Sequence, residues 1–158
     1  MSLKHQKLLQ EFESLLQAAP GAQRLMETIS TRLHGELARY NWVGFYLVDK
    51  EDPRFLTVGP FTGSFTPRER IPVDQGLCGA AITGGRTVIV NDVSSDHRYL
   101  AGSEMVKSEI VAPILARGKA VAEIDINSYF AGTFTPEEQE FVETCAAMIG
   151  KYLEKQPL

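Results

Sequence analysis

The spacing of apolar residues changes at Trp42, and this change limits the folds that the chain can adopt. Before it, apolar residues recur every three or four positions over residues 8–16 and 25–37. This spacing predicts two amphipathic helices. We expect the first helix to end before Pro20, because proline followed by glycine interrupts a helix. After Trp42, shorter apolar segments bounded by turn residues predict strands.

The part of the chain after Trp42 predicts a sheet and one last helix. Strands are predicted over residues 43–47, 55–58, 71–73, 87–90, 109–116 and 120–126, with a short helix over residues 77–83. The last two strands should form a hairpin that turns at residues 117–119. Residues 92–107 are polar and without periodicity, which is typical of a functional or mobile loop. Thr135, followed by proline and then glutamate, predicts the start of the last helix. This order favours an α+β fold: an antiparallel sheet with its terminal helices on one face and a ligand pocket on the other.

Composition excludes several classes of function. The chain has 158 residues, 44% apolar and 23% charged, with a net charge of −4, which is ordinary for a globular domain. Dispersed basic residues in an acidic chain argue against a nucleic-acid partner. No apolar run reaches the roughly 20 residues that span a bilayer, so no membrane partner is expected. Two cysteines form no disulfide framework and no secretory signal is visible, so we expect a cytoplasmic protein.

Five short motifs follow one another along the chain. They are Asn41-Trp42-Val43-Gly44-Phe45-Tyr46, Gly59-Pro60-Phe61-Thr62-Gly63, Gln75-Gly76-Leu77-Cys78-Gly79, Ser108-Glu109-Ile110-Val111 and Ile124-Asp125-Ile126-Asn127-Ser128. In this order and spacing they resemble a GAF domain, and within that superfamily the free methionine-R-sulfoxide reductases. The resemblance covers about residues 20–154. It implies a single GAF domain over residues 1–158, with a helical extension over about residues 1–19.

The resemblance also implies that most of the reactive cysteines are missing. The enzymes reduce the sulfoxide of the free amino acid with cysteines around a closed pocket. Aligned back from Ser108, the nucleophilic cysteine falls on Gly102, which has no side chain, and a second reactive cysteine falls near Arg68. Cys78 remains, and the matching family residue assists rather than attacks. The resemblance therefore supports the pocket, argues against the reaction and leaves Cys78 as the only catalytic candidate.

Trp42 and Tyr46 are the aromatic candidates for a ligand site. They are four residues apart on a predicted strand, so both point to the same side. Two aromatic residues on one strand face are equally typical of a core, although a buried Tyr46 hydroxyl would need a partner. The resemblance implies that both residues wall the pocket and contact the ligand.

Glu109, Asp125 and Asn127 are the polar candidates for the same site. Glu109 heads an apolar strand, where it either lies at a solvated end or pairs with a ligand ammonium. We favour the ammonium, because the match at residues 108–111 is specific. Asp125 and Asn127 share a strand face with Glu123, a pattern that also suits an exposed strand. The family has aspartate at both 125 and 127, so Asn127 reduces the charge and adds amide donors that favour a zwitterionic or amide-bearing ligand.

The sequence leaves two interpretations of Cys78 open. It stands near the start of a predicted helix, a position that lowers the pKa of a thiol and favours redox chemistry. Alternatively it is an inert, semi-buried thiol, which we favour because sulfoxide reduction normally needs a second thiol. Cys145, on the apolar stripe of the last helix, is predicted to lie in the core. The three histidines lack ligand spacing, so we expect no metal site and no cofactor.

Three functions fit the sequence. The leading one is a non-catalytic sensor or binding module for a small polar or amino-acid-like ligand. The second is a reductase-like enzyme that uses Cys78, with thioredoxin or glutathione as its partner. The third is a structural dimerisation module. We expect the stripe of Leu8, Phe12 and Leu15 on the first helix to pack either against the domain's own last helix or against another copy. We also expect a homodimer, because an N-terminal helix beyond the minimal fold otherwise has little to cover it.

Overall fold

The computed structural model describes residues 1–156, and every predicted helix and strand is present in it. In chain order the elements are α1 (Leu3–Gln17), α2 (Ala22–Glu36), β1 (Trp42–Val48), β2 (Phe55–Gly63), β3 (Arg70–Pro72), α3 (Gly76–Gly84), β4 (Val88–Val90), β5 (Ser108–Ala116), β6 (Lys119–Ser128) and α4 (Pro136–Lys155). A 3₁₀ turn at Val93–Ser95 begins the predicted loop between β4 and β5. Within residues 1–156, no helix combines the length and apolar character needed to cross a membrane.

Six strands form one antiparallel sheet in the order β3-β2-β1-β6-β5-β4. The predicted hairpin of β5 and β6 is confirmed, with a turn at Arg117 and Gly118. Their φ angles of 53° and 77° are the left-handed values that a two-residue hairpin turn requires. The predicted α+β fold with an antiparallel sheet is therefore confirmed.

The sheet separates two cores, because successive side chains of a strand point to opposite faces. On one face, α1, α2 and α4 pack against residues that include Val43, Phe45 and Ile126. On the other face, Trp42 and Tyr46 meet α3 and the connecting segments. The terminal helices thus share one face, as predicted, and the candidate site residues collect on the other.

Strand β2 continues to Gly63, well beyond the predicted strand over residues 55–58. The prediction stopped early because Gly59 and Pro60 are typical strand breakers. In the structure the pairing of β1 with β2 shifts between Gly44 and Tyr46, so that Gly59 and Pro60 together oppose one residue of β1. This is a β-bulge, a place where proline does not cost a ladder hydrogen bond.

Helix α1 packs against its own chain. Leu8 and Phe12 are 3% and 1% exposed and join the core formed with α2 and α4. The ring of His5 stacks on Phe141 of α4 at a centroid distance of 4.2 Å, and its Nε2 lies 2.7 Å from Oε2 of Glu138. Of the two partners predicted for this stripe, the structure has the domain's own last helix. The homodimer remains a prediction.

Candidate functional site

A cavity of about 40 Å³ lies between the second face of the sheet and α3. Strands β1, β5 and β6 form its floor, and segments 65–68 and 100–102 form its roof. Its lining consists of Trp42, Tyr46, Phe65, Pro67, Arg68, Ile71, Gly76, Leu77, Cys78, Leu100, Gly102, Glu109, Asp125 and Asn127. The structure therefore brings all six of the candidate site residues together around one cavity.

The indole of Trp42 lies across the sheet because two glycines leave room for it. A Cβ atom at Gly44 or at Gly63 would collide with the ring. The indole stacks on Phe65, with ring centroids 5.2 Å apart, and its Nε1 donates a hydrogen bond of 3.2 Å to the Phe65 carbonyl oxygen. Trp42 is thus part of the second core and a wall of the cavity at the same time, so the two interpretations of this residue are compatible.

Tyr46 forms the next part of the aromatic wall. Its hydroxyl donates a hydrogen bond of 3.4 Å to the carbonyl oxygen of Arg68. Burial, and then the charge of Asp125, raise the pKa of Tyr46, so its hydroxyl stays protonated at neutral pH. The hydrogen bonds from Trp42 and Tyr46 together hold segment 65–68 over the cavity.

Glu109, Asp125 and Asn127 form a polar floor that is shielded from solvent. Glu109 on β5 pairs with Asn127 on β6, and Asp125 lies two residues away on the same face. Nδ2 of Asn127 donates a hydrogen bond of 3.2 Å to Oδ1 of Asp125. All three side chains are buried. The alternatives of an exposed strand face and a solvated strand end are therefore wrong.

The floor carries acidic groups without a buried basic partner. Burial raises the pKa of Asp125 and of Glu109, and the nearby Asp125 raises that of Glu109 further. Among residues 1–156, the buried polar side chains include no lysine or arginine. Arg68 lines the cavity but is itself exposed. A floor of this kind favours a cationic group over an anionic one.

Glu123 belongs to the same acidic group, although sequence reasoning did not include it among the site residues. It is 0% exposed, and neither carboxyl oxygen has a hydrogen-bond partner. Burial, and then the charge of Asp125, raise its pKa. The signal for this residue was the alternation of polar residues at positions 123, 125 and 127, which places all three on one face.

Cys78 is a protonated thiol rather than an activated one. It lies in the first turn of α3, buried, and its Sγ donates a hydrogen bond of 3.6 Å to Oδ2 of Asp125. Burial raises the pKa of this thiol, and the carboxyls of Asp125, Glu123 and Glu109 raise it further. The prediction that the helix start lowers this pKa is therefore wrong, because burial and three acidic neighbours outweigh the helix dipole.

The other cysteine, Cys145, lies in the core, as predicted. Cys145 is 1% exposed in the core between α4 and the first face of the sheet. Burial raises its pKa to about 12. Both cysteines are free thiols on opposite faces of the sheet.

Gly102 lies in the roof of the cavity, opposite the polar floor. A Cβ atom at this position would lie 2.6 Å from Cε1 of Phe65, closer than real Cβ atoms approach other atoms. The ring of Phe65 therefore occupies the space that a side chain at residue 102 would need. The two roof segments meet at this contact.

The polar floor also contains metal-ligand types that the histidine spacing did not reveal. One ligand atom from each of Cys78, Glu109 and Asp125 lies within 4.8 Å of the other two. The histidines lie elsewhere: His5 packs on α4, and Nδ1 of His34 lies 2.9 Å from the carbonyl oxygen of Tyr40. A search by histidine spacing misses this group, because its members come from α3, β5 and β6.

Comparison with known proteins assigns the chain to a family. Residues 21–153 match the GAF domain family. The chain is a GAF domain protein. This GAF protein is 30% identical over 146 residues to the free methionine-R-sulfoxide reductase of Escherichia coli (strain K12), an alignment that covers 92% of this chain and 86% of the relative. It is 36% identical over 112 residues to the enzyme of the same name from Saccharomyces cerevisiae, covering 70% and 62% of the two chains.

Solved structures give the same relationship. The free methionine-R-sulfoxide reductase of Neisseria meningitidis, in complex with its substrate, matches with a TM-score of 0.89 at 28% identity and covers 98% of this chain and 92% of that chain. The reduced form of the Staphylococcus aureus protein matches with a TM-score of 0.87 at 31% identity, covering 94% of each chain. The GAF protein is therefore related to the free methionine-R-sulfoxide reductases.

Proposed function

We propose that this GAF protein is a non-catalytic sensor or binding module for a small amino-acid-like ligand that carries a cationic group. One observation carries this proposal: an aromatic wall and a buried acidic floor meet in a single cavity. A buried carboxylate without a partner is costly, and a ligand ammonium would supply that partner.

Each chemical group of the proposed ligand would contact a different set of side chains. Glu109 and Asp125 receive the cationic group, because they are the acidic side chains that line the cavity. The rings of Trp42 and Tyr46 offer apolar surface to the rest of the ligand. Asn127 donates one amide hydrogen to Asp125, which leaves its second hydrogen and its carbonyl oxygen for a ligand carboxylate or amide.

Ligand entry requires the roof to move. The cavity of about 40 Å³ has room for a few water molecules, whereas ligand pockets usually measure about 300–1,000 Å³. Trp42 and Tyr46 hold segment 65–68 by hydrogen bonds and also face the cavity. Ligand contact with these rings would therefore reposition the roof, and this change would be the output of a sensor.

Two features support a non-catalytic role. Gly102, which we align with the nucleophilic cysteine of the reductases, has no side chain to supply a thiolate. The burial and acidic surroundings of Cys78 raise the pKa of its thiol, so little thiolate forms at neutral pH. Both features argue against the thiolate attack with which sulfoxide reduction begins.

The second candidate function is sulfoxide reduction by Cys78, favoured by the position of this thiol in the cavity lining. In that reaction the sulfur of Cys78 attacks the sulfoxide sulfur, releases methionine and retains the oxygen as a sulfenic acid. Two external thiols then reduce the sulfenic acid, restoring the thiol and forming water and one disulfide.

Calorimetric titration of amino acids and their sulfoxides, in buffer that contains EDTA, tests the first candidate. We expect at least one to bind, and Glu109→Gln to weaken its binding by about 1.5–3 kcal/mol, the range for a hydrogen bond to a charged group. Glu51→Gln, which changes an exposed glutamate in the turn after β1, is the matched control. Equal binding by Glu109→Gln and wild type would remove Glu109 from the site.

An activity assay separates the two candidates. We expect no release of methionine from free methionine-R-sulfoxide with thioredoxin, glutathione or dithiothreitol. Turnover by wild type that disappears in Cys78→Ser would replace the binding module with the enzyme.

A further inference from the structure

The thiol and carboxyls on the cavity floor have the spacing of a metal-ligand set. Sγ of Cys78 lies 3.6 Å from Oδ2 of Asp125. In a tetrahedral zinc site, with Zn–S of about 2.3 Å and Zn–O of about 2.0 Å, the sulfur and oxygen lie about 3.5 Å apart. A ligand oxygen of Glu109 lies within 4.8 Å of both other atoms. These three side chains would supply three of the four ligands of a tetrahedral site.

Glu123 adds a third buried carboxyl beside this ligand set, on the same strand face as Asp125. The carboxyl of Glu123 lies beside the Cys78 thiol, is 0% exposed, and has no hydrogen-bond partner for either oxygen. The thiol itself is hydrogen-bonded to Asp125 instead. No lysine or arginine is among the buried polar side chains of residues 1–156. Three carboxyls and one thiol are thus buried together without a lysine or arginine, an arrangement that costs several kcal/mol unless the carboxyls are protonated or bind a cation.

We propose that the floor of the cavity binds a divalent transition-metal ion of the Zn²⁺ type through Cys78, Glu109 and Asp125, with Glu123 as a supporting residue beside the sulfur. The proposal uses the same pocket as the proposed function but does not require an amino-acid ligand. An ion and a ligand ammonium would compete, because both need the carboxylates of Glu109 and Asp125.

The ligand types decide which ion fits. A thiolate favours Zn²⁺ or Co²⁺, whereas Mg²⁺ and Ca²⁺ prefer sites built from oxygen alone. Cys78 must lose its proton to bind the ion, and that proton is released to solvent. The carboxyl of Glu123 lies beside the sulfur and places a further acidic group next to the bound ion. The cavity that the three ligands line has room for a water molecule as a fourth ligand.

Co²⁺ is the probe that tests this site, because sulfur coordination produces a charge-transfer absorption band in the near ultraviolet. The full chain is treated with EDTA and a phosphine reductant, desalted, and titrated with Co²⁺ in the absence of amino acids. We expect one Co²⁺ per chain, visible bands of tetrahedral coordination, and displacement by Zn²⁺ but not by equimolar Mg²⁺ or Ca²⁺. Absence of these bands in the wild type, or equal competition by Ca²⁺, would overturn the proposal.

Variants identify the ligands. Cys78→Ser should abolish the charge-transfer band, whereas Cys145→Ala, which removes the thiol on the opposite face of the sheet, should keep it. Glu123→Gln should weaken Co²⁺ binding about 10–100-fold, the usual effect of losing a group that supports a metal ligand. Glu109→Gln changes a second of the proposed metal ligands. Circular dichroism checks that each variant is folded. A band that survives in folded Cys78→Ser would assign the sulfur elsewhere and contradict the site.

The Co²⁺ titration and the amino-acid titration test the two proposals separately. Amino-acid binding in EDTA without Co²⁺ binding would retain the binding module and reject the metal site. Co²⁺ binding without any amino-acid binding would do the reverse.

Discussion

Phe65 and Gly102 meet in the roof of the cavity, where the absence of a side chain at Gly102 leaves room for the Phe65 ring. The ring of Phe65 stacks on Trp42 and lies where a side chain at residue 102 would begin. A thiol at residue 102 therefore cannot be added to this structure without moving Phe65. Placing a thiol at residue 102 would therefore change the packing of the roof as well as its chemistry.

We predict that Gly102→Ala and Gly102→Cys lower the free energy of unfolding by about 0.5–1.5 kcal/mol, because the added Cβ displaces the half-buried Phe65 ring from its stack on Trp42. Urea unfolding at pH 7 measures this difference. Gly84→Ala, where an added Cβ has no atom within 4 Å, is the control. If Gly102→Ala is as stable as wild type, then Phe65 is not held firmly in the roof.

Among the elements, α1 is bound to the rest of the chain by its own apolar stripe. We predict that Phe12→Ala lowers the free energy of unfolding by about 3–5 kcal/mol, because the ring is fully buried between helices. Thermal unfolding at several protein concentrations measures both this loss and its origin. Leu3→Ala, on an exposed position of the same helix, should have little effect.

The concentration series also distinguishes two origins of α1 stability. Packing within one chain gives a loss that does not depend on protein concentration. A loss that grows on dilution would show that a second copy covers part of α1. Sedimentation equilibrium of the wild type would then establish the predicted homodimer directly.

The elements also show why the sequence predicted the fold better than the site. The β5–β6 hairpin and the α4 start were predictable, because turn residues and a capping threonine act locally. The alternation along β6 indicated that Glu123, Asp125 and Asn127 share a face. Alternation alone does not reveal which part of the chain covers that face. α3, which lies some forty residues earlier in the sequence, provides the cover and carries Cys78. The strong pKa increase at Cys78 arises from this distant packing, so its local helix position predicted the wrong direction.

In the whole molecule, the buried acidic groups make stability depend on pH. Burial raises the folded-state pKa of Glu109, Glu123 and Asp125. Above the ordinary carboxyl pKa of about 4, the folded state therefore binds more protons than the unfolded state. The stability contribution of these groups is complete below that pH and is lost as the pH rises toward the raised values.

We predict that Glu123→Gln becomes progressively more stable than wild type as the pH rises from about 4 to 8. The difference in free energy of unfolding should grow by at most about 1.4 kcal/mol per pH unit, the value for one proton. Urea unfolding across this range, with EDTA present, measures the difference. Glu51→Gln, at an exposed position in the turn after β1, is the control variant. A flat difference for Glu123→Gln would mean that its carboxyl titrates normally in the folded protein.

The separation of the two cores by the sheet limits which changes in chain length the protein can accept during evolution. Strand β6 sends its isoleucines toward the helices and its carboxylates toward the cavity. Loss of a single residue within 119–128 would turn part of the strand over, so that its isoleucines face the cavity and its acidic side chains are buried against α4. Extra residues at the Arg117-Gly118 turn would leave both sets in place, because that turn lies outside the paired positions. Related sequences should therefore vary in length at this turn and change β6 only by substitution.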